Sequence, residues 1–257
     1  DRNGDGEADF YECFSNQFAT SAGGHDYICG LERDAEGNFY TAVGGQGVLK
    51  ISADGAHTDI IATGFRNADG LGLTADGILT VPCAEGTWTP ASMICGVRLG
   101  QQRVGHFGFP GPHGAEVPDL PLVYLPRGVD NQAGGQQLVP SKRWGPFTGQ
   151  LLHFSFGTGK MFLVLRDDVS GQMQGAVVPL PGDFLSGTHR GRFSPFDGQL
   201  YVTGMQGWGS YTPTDGCFQR VRYRGGNVQQ PLGIHTYRNG VIVRFSEKID
   251  ETIASEI

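Results

Sequence analysis

The chain has 257 residues, with 42 Gly, 14 Pro, 39% apolar and 18% charged residues, and a formal net charge of −7. That size permits one large domain with its own core, and the apolar content excludes a disordered low-complexity chain. The acidic balance without any Lys/Arg run argues against a nucleic-acid binder, and no apolar run is long enough to span a membrane as a helix.

Many Gly among plentiful aromatic residues predicts short strands joined by tight turns, an all-β chain. In chain order, the first element is a loop. Residues 1–12, DRNGDGEADFYE, match D-x-[DN]-x-[DN]-G-x5-E throughout. The pattern wraps side-chain oxygens of Asp1, Asn3, Asp5, Asp9 and Glu12, and the Glu7 carbonyl, around one point, with Gly6 at the sharp turn. Calcium takes such a set of hard oxygens. The plainer alternative is a solvated acidic turn. No helical pattern flanks the loop, and FYECFSNQF (10–18) reads as a strand, so the expectation is an inter-strand calcium staple and not an EF-hand.

Three later segments share one plan: GLERDAEGNFYTAVGG (30–45), GLGLTADGILTVPCAEG (70–86) and RGRFSPFDGQLYVTGMQGWG (190–209). Each has a short apolar strand, an acidic residue before a turn Gly, an alternating strand and a Gly-rich exit. The turn glycines are Gly37, Gly77 and Gly198, separated by 40 and 121 residues, and a weaker copy surrounds Gly149 in 145–159. A strand-built period near 40 predicts the blades of a β-propeller. A β-sandwich would not explain the repeat. The spacing, with 121 close to three periods, leaves room for roughly five blades across residues 1–232, fewer if insertions are long. Residues 96–121 read as such an insertion; its His106 and His113 are taken as ordinary loop residues, because seven positions in a Gly/Pro segment is no metal-ligand spacing. Residues 233–257 read as the start of a following segment or linker, and the chain is expected to be a piece of a longer protein.

Of the five cysteines, Cys13, Cys29, Cys83, Cys95 and Cys217, none forms CxxC or the haem-attaching CxxCH. Cys83 and Cys95 flank a short segment and would be the pair to bridge in an oxidising compartment.

Polar residues stand just before the repeat strands: His25 before the first, Arg66 and Asn67 before the second, His189, Arg190 and Arg192 at the last. Equivalent positions in successive blades converge on one end of a propeller's channel. A mouth holding His, Arg and Asn suits an anionic cofactor or substrate.

On these motifs, H-x4-G-L with GNFY, then RNADGL, then R-x-R before DGQLYV, the chain resembles the soluble glucose and sorbosone dehydrogenases. The segments 85–94, 130–136, 144–160 and 215–223 are similar to a planctomycete-type subgroup, large secreted proteins designated membrane-bound dehydrogenases and often joined to haem-binding cytochrome c domains. The resemblance implies a six-bladed propeller using pyrroloquinoline quinone and calcium, periplasmic or secreted, oxidising a sugar or other alcohol and passing electrons to a cytochrome, with any haem in a domain outside this chain. It implies His25 as general base, with Arg66, as a catalytic residue, and Asn67 where the family contacts the quinone's carboxylates and reactive carbonyl, and Lys160, Arg190 and Arg192 as further cofactor contacts. It also implies a second, functional calcium on the carbonyls of Glu85 and Gly86. Two other readings stay open. One is a calcium-stabilised propeller that binds glycan or protein without chemistry. The other is a calcium-dependent hydrolase or lactonase using carboxylates such as Asp26, Asp69, Glu85 and Asp130.

Overall fold

The computed structural model describes residues 1–19, 27–207, 210–250 and 252. Nearly all regular structure is strand, folded into antiparallel sheets that follow one another along the chain. The first sheet holds β1 (Ile28–Arg33), β2 (Phe39–Val43), β3 (Gly47–Ile51) and β4 (Thr58–Thr63). The second holds β5 (Gly72–Leu73), β6 (Ile78–Cys83), β7 (Ser92–Arg98) and, after the short β8 (Gly105–His106), β9 (Val123–Leu125). The third holds β10 (Ala133–Leu138), β11 (Leu151–Ser155), β12 (Lys160–Val169) and β13 (Gln172–Pro179). The fourth holds β14 (Gly187–Phe193), β15 (Leu200–Met205) and β16 (Gly216–Val221), and a hairpin of β17 (Pro231–Tyr237) and β18 (Gly240–Phe245) follows. These sheets are the blades of a β-propeller.

Period-2 alternation explains why the sheets stack. In the third blade Leu151 and Val164 point to the second, where they meet Ile94, Leu122 and Leu125. Their neighbours Leu152, Leu163 and Leu165 point the other way, onto Leu200 and Val202 of the fourth. Tyr40, Ala42 and Val48 of the first blade meet Leu79, Val81 and Cys83 of the second. Strands buried on both faces read as continuous apolar runs, as ILTVPC in β6 does. Gly37, Gly77, Gly149 and Gly198 are the turn glycines of the inner hairpins of four successive blades, with φ between 69° and 94°.

β1, β5, β10 and β14 are the inner strands, set side by side around the axis. Glycine makes the approach close enough: a Cβ on Gly70 would lie 2.5 Å from Gly135 Cα, and one on Gly134 would lie 2.6 Å from the Thr188 carbonyl.

Three expectations change. The spacing of 121 residues leaves room for two inner hairpins between Gly77 and Gly198, but there is one, at Gly149. The long connection between β7 and β9, and the 3-10 turn Lys142–Phe147 between β10 and β11, stretch the period. Residues 10–18 form no strand. Phe14 packs on the first blade instead, meeting the Phe39 ring edge-on at 5.3 Å, while Tyr11 is exposed. Cys83 and Cys95 are both buried and free; Cys95 lies opposite Val81 and Cys83 opposite Met93, so they sit diagonally across two paired strands.

The segment between β7 and β9 reaches back to the first blade. Its β8 pairs in parallel with β4, Ala62 opposite Gly105 and Thr63 opposite His106. His106, expected in a loop, is instead a buried histidine of β8 with both ring nitrogens satisfied: Nδ1 is 3.0 Å from Thr63 Oγ1, Nε2 is 2.7 Å from the Gly111 carbonyl, and the ring stacks on His113.

Candidate functional site

The stretches that lead into the inner strands share one end of the blades with the turns that leave the second strands. The same backbone bond ties them together in successive blades: Gly44 N–H to the Tyr27 carbonyl (3.1 Å), Ala84 N–H to Arg66 (2.9 Å) and Gly157 N–H to Gln132 (3.1 Å). This knitting places the residues before each inner strand at the channel mouth.

Arg66, Glu85 and Gly86 come together there. Arg66 Nη1 donates to the Glu85 carbonyl at 2.8 Å, and its stem covers Gly86, where a Cβ would sit 2.5 Å from Arg66 Cδ. The Glu85 carboxylate takes a forked contact from Arg127, with Nε at 3.0 and 3.1 Å from its two oxygens. That bond, ahead of any other cause, holds the Glu85 carboxyl below its usual range. Arg66 makes no ion pair within 4 Å among the described residues. Asn67 has a left-handed backbone (φ 47°), and its buried Oδ1 has no hydrogen-bond partner among the described residues. An orphaned acceptor held in an uncommon conformation is a site feature in physical terms.

Deeper on the axis the arginine pair meets acids from other blades. Arg190 lies beside Cys29 and Asp69, and Cys29 Sγ is 3.9 Å from Asp69 Oδ1. Gln132 Nε2 donates to Asp69 Oδ2 at 2.8 Å. Arg192 Nη2 reaches Glu32 Oε1 at 3.3 Å, joining the fourth blade to the first across the axis. Burial raises both Asp69 and Glu32, opposed in Asp69 by the Gln132 bond and the Arg190 charge, and in Glu32 by Arg192. Burial, with Arg190 beside it, pushes His189 down to about 4, so its imidazole is neutral at ordinary pH.

Asp130, just before β10, is fully buried with His153. His153 Nε2 and Asp130 Oδ2 are 2.7 Å apart, and Ser155 Oγ donates to Asp130 Oδ1 at 2.7 Å. Asp130 therefore pins inner to second strand in the third blade and does not face the mouth.

Other predicted residues stand apart. Lys160 is half-exposed, with its ammonium 3.7 Å from Asp183, though its carbonyl accepts from Thr188 Oγ1 on β14. His25 and Asp26 lie outside the described residues. In residues 1–12, Asp1 accepts from the Gly4 and Gly6 N–H groups (2.6 and 3.0 Å), Asn3 from Asp5 (3.0 Å) and Asp5 from Glu7 (2.8 Å), while Asp9 accepts from the Arg2 N–H and Glu12 is exposed. Among the described residues no group of three His, Cys, Asp or Glu side chains gathers as a metal site. Sequence reasoning missed Glu32, Cys29, Gln132 and Arg127 as partners of the predicted residues. The available signal was polarity on otherwise apolar inner strands, as for Glu32 within ICGLER.

No protein-family model matches this sequence, and no curated protein matches it. Solved structures do. An oxidoreductase described as a glucose dehydrogenase from Thermus thermophilus superposes with a TM-score of 0.58 at 17% identity, over 79% of this chain and 68% of its own. A second glucose dehydrogenase gives 0.56 at 17% identity, over 77% and 63%. The PQQ-bound aldose sugar dehydrogenase of Streptomyces coelicolor gives 0.50 at 15% identity, over 76% and 61%. The fold is a β-propeller like that of these structures. The chain spans about three fifths to two thirds of the length of these structures. No helix among the described residues is long and apolar enough to cross a membrane.

Proposed function

We propose that this propeller binds pyrroloquinoline quinone at the mouth and oxidises a sugar or other alcohol. The observation that carries the reading is the Arg66–Asn67 corner: among the described residues, a guanidinium in no ion pair, followed in the chain by a buried amide oxygen without a hydrogen-bond partner. The residues fit a cofactor that is a carboxylate anion and carries an N–H. Arg66 would hold a carboxylate, with Arg190 and Arg192 adding positive field from below, and Asn67 would accept from the ring N–H or from a substrate hydroxyl. When bound, the quinone supplies a two-electron acceptor. His25 would take the proton from the substrate hydroxyl, and Asn67 and Arg66 would orient that hydroxyl. His189, neutral and half-buried, would leave the cationic field to the arginines.

Calcium has two proposed places. The carbonyls of Glu85 and Gly86 would serve a functional ion, in competition with the Arg66 and Thr89 N–H groups that now bond them. Residues 1–12 would hold a structural ion, because the N–H bonds accepted by Asp1, Asn3 and Asp5 already wrap their oxygens into one loop. Lys160 would join the cofactor site on leaving Asp183. A periplasmic or secreted location, and a cytochrome as electron acceptor, complete the reading.

The test is direct titration of quinone with calcium into the protein, followed by dye-linked aldose oxidation. Binding at micromolar quinone is expected, with Arg66→Gln weakening it about tenfold or more, the loss of one charge-assisted bond. His25→Ala should bind and not turn over. Absence of binding at micromolar quinone sinks the proposal.

One observation favours a second reading, a propeller that recognises a ligand without chemistry. Arg190 and Arg192 have acids of this chain beside them, Asp69 and Glu32, so they staple blades whether or not a cofactor enters. A hydrolytic reading finds less support. Glu85 is tied to Arg127 and Asp130 to His153, so among the described residues the carboxylates do not cluster at the mouth.

A further inference from the structure

The turn after β6 holds a tryptophan in a conformation that tryptophan rarely takes. Gly86 N–H donates to the Thr89 carbonyl (3.2 Å) and Thr89 N–H to the Gly86 carbonyl (3.0 Å), closing a tight turn over Thr87 and Trp88. Trp88 has φ +67°, and 67% of the residue is exposed. A position with positive φ in such a turn suits Gly, which adopts it without strain. An indole left mostly in water gains little packing to offset that strain, so the fold alone gives no reason for tryptophan here.

The ring is nonetheless held. Its Nε1 edge lies over Gly111 of the segment between β7 and β9, where a Cβ would come within 3.2 Å. The residues on either side, Thr87 and Thr89, line an open cleft of about 690 Å³ together with Arg66, Glu85 and Arg127. Tyr211, 80% exposed, is near enough to Arg127 to act on its charge. The indole thus stands at the tip of the turn whose flanking threonines line the polar cleft, with Tyr211 on the Arg127 side.

We propose that Trp88 is a stacking platform for a pyranose ring, and that this cleft takes one unit of a neutral oligosaccharide. The flat C–H face of a pyranose packs on an indole, and the hydroxyl edge needs paired donors and acceptors. Arg127 and Glu85 offer both from one forked pair. The charges of this pair cancel, so it offers a sugar hydroxyl both partners without drawing an ion of its own. The subsite rests on the reading that the mouth handles sugars, and on no redox step.

The experiment is calorimetric titration of the protein without quinone, using cellopentaose and maltopentaose with glucose as the single-ring control. At least one pentasaccharide should bind about tenfold more tightly than glucose, and Trp88→Ala should remove that advantage while Trp88→Tyr keeps most of it. Trp88→Gly should lose the sugar yet melt no lower than the parent, because Gly relieves the strained backbone. Equal, negligible binding of all three sugars, or unchanged binding in Trp88→Ala, overturns the subsite. Oxidation of glucose in the presence of quinone with no pentasaccharide binding would overturn the subsite alone. Pentasaccharide binding with no quinone binding would sustain the subsite and overturn the oxidation reading alone.

Discussion

The two ends of the blades follow opposite rules. At one end the four inner hairpins close with the same backbone bond: Asp34 N–H to Asn38, Thr74 to Ile78, Val139 to Gln150 and Ser194 to Gln199, all between 2.9 and 3.0 Å. Side chains repeat as well, since Tyr40 donates to Asp34 and Tyr201 to Asp197, both at 2.8 Å. At the other end the turns differ in length and chemistry, from 44–46 through 84–91 to 206–215, and there the unpartnered Asn67, the Arg66 corner and Trp88 are found. Repetition builds a scaffold that any blade can satisfy, and the departures from repetition carry the chemistry.

The comparison can be broken hardest in the stacked cores that both ends depend on. Phe154 is fully buried, with its ring tip over Gly191. Phe154→Ala should destabilise the protein by about 3–5 kcal/mol in urea unfolding. It should weaken quinone and sugar binding only through loss of folded protein. A smaller effect is expected at the regular end. Gly77 has φ 77° and open space where a Cβ would stand, so Gly77→Ala meets strain alone, about 1–2 kcal/mol, and should leave ligand binding unchanged in the folded protein.

The smallest effect sharpens the other side. His189 is held at about 4 in the fold but takes a proton near 6.5 in the unfolded chain. The unfolded state then binds more protons across that window, so this group's contribution to stability falls as pH drops from about 6.5 to about 4. Asp69 and Glu32, raised by burial, act in the opposite sense. The effect is therefore read as a difference: His189→Gln should lose less stability than the parent between pH of about 7 and about 4.5. An identical pH profile for both proteins would overturn the assignment of a depressed His189.

The same contrast explains what the sequence made legible. Turn glycines announce themselves because positive φ is a backbone demand, so Gly37, Gly77, Gly149 and Gly198 marked the blades. Counting by a 40-residue period failed between Gly77 and Gly198, because connections lengthen without disturbing the sheets they join. Residues 10–18 carried strand-like composition but no partner edge, and propensity without a ladder makes no strand. At the mouth, Arg66, Asn67 and Asp69 were readable because they are neighbours in sequence. The bonds that define Asp69 come from Gln132 and Cys29, and the one that holds Arg192 comes from Glu32; these partners belong to other blades and become neighbours only when the ring forms.

The parallel pairing of β8 with β4 has a consequence for how the molecule opens. A propeller of separate blades can shed its units one by one, since each touches only its neighbours. Here a strand covalently part of the second blade's connection supplies the last rung of the first blade's sheet. Opening the first sheet at β4 frees β8, and with it the connection that leads from β7 to β9. These two blades should therefore behave as one cooperative unit in native-state hydrogen exchange, while the fourth, which borrows no strand, protects its amides independently.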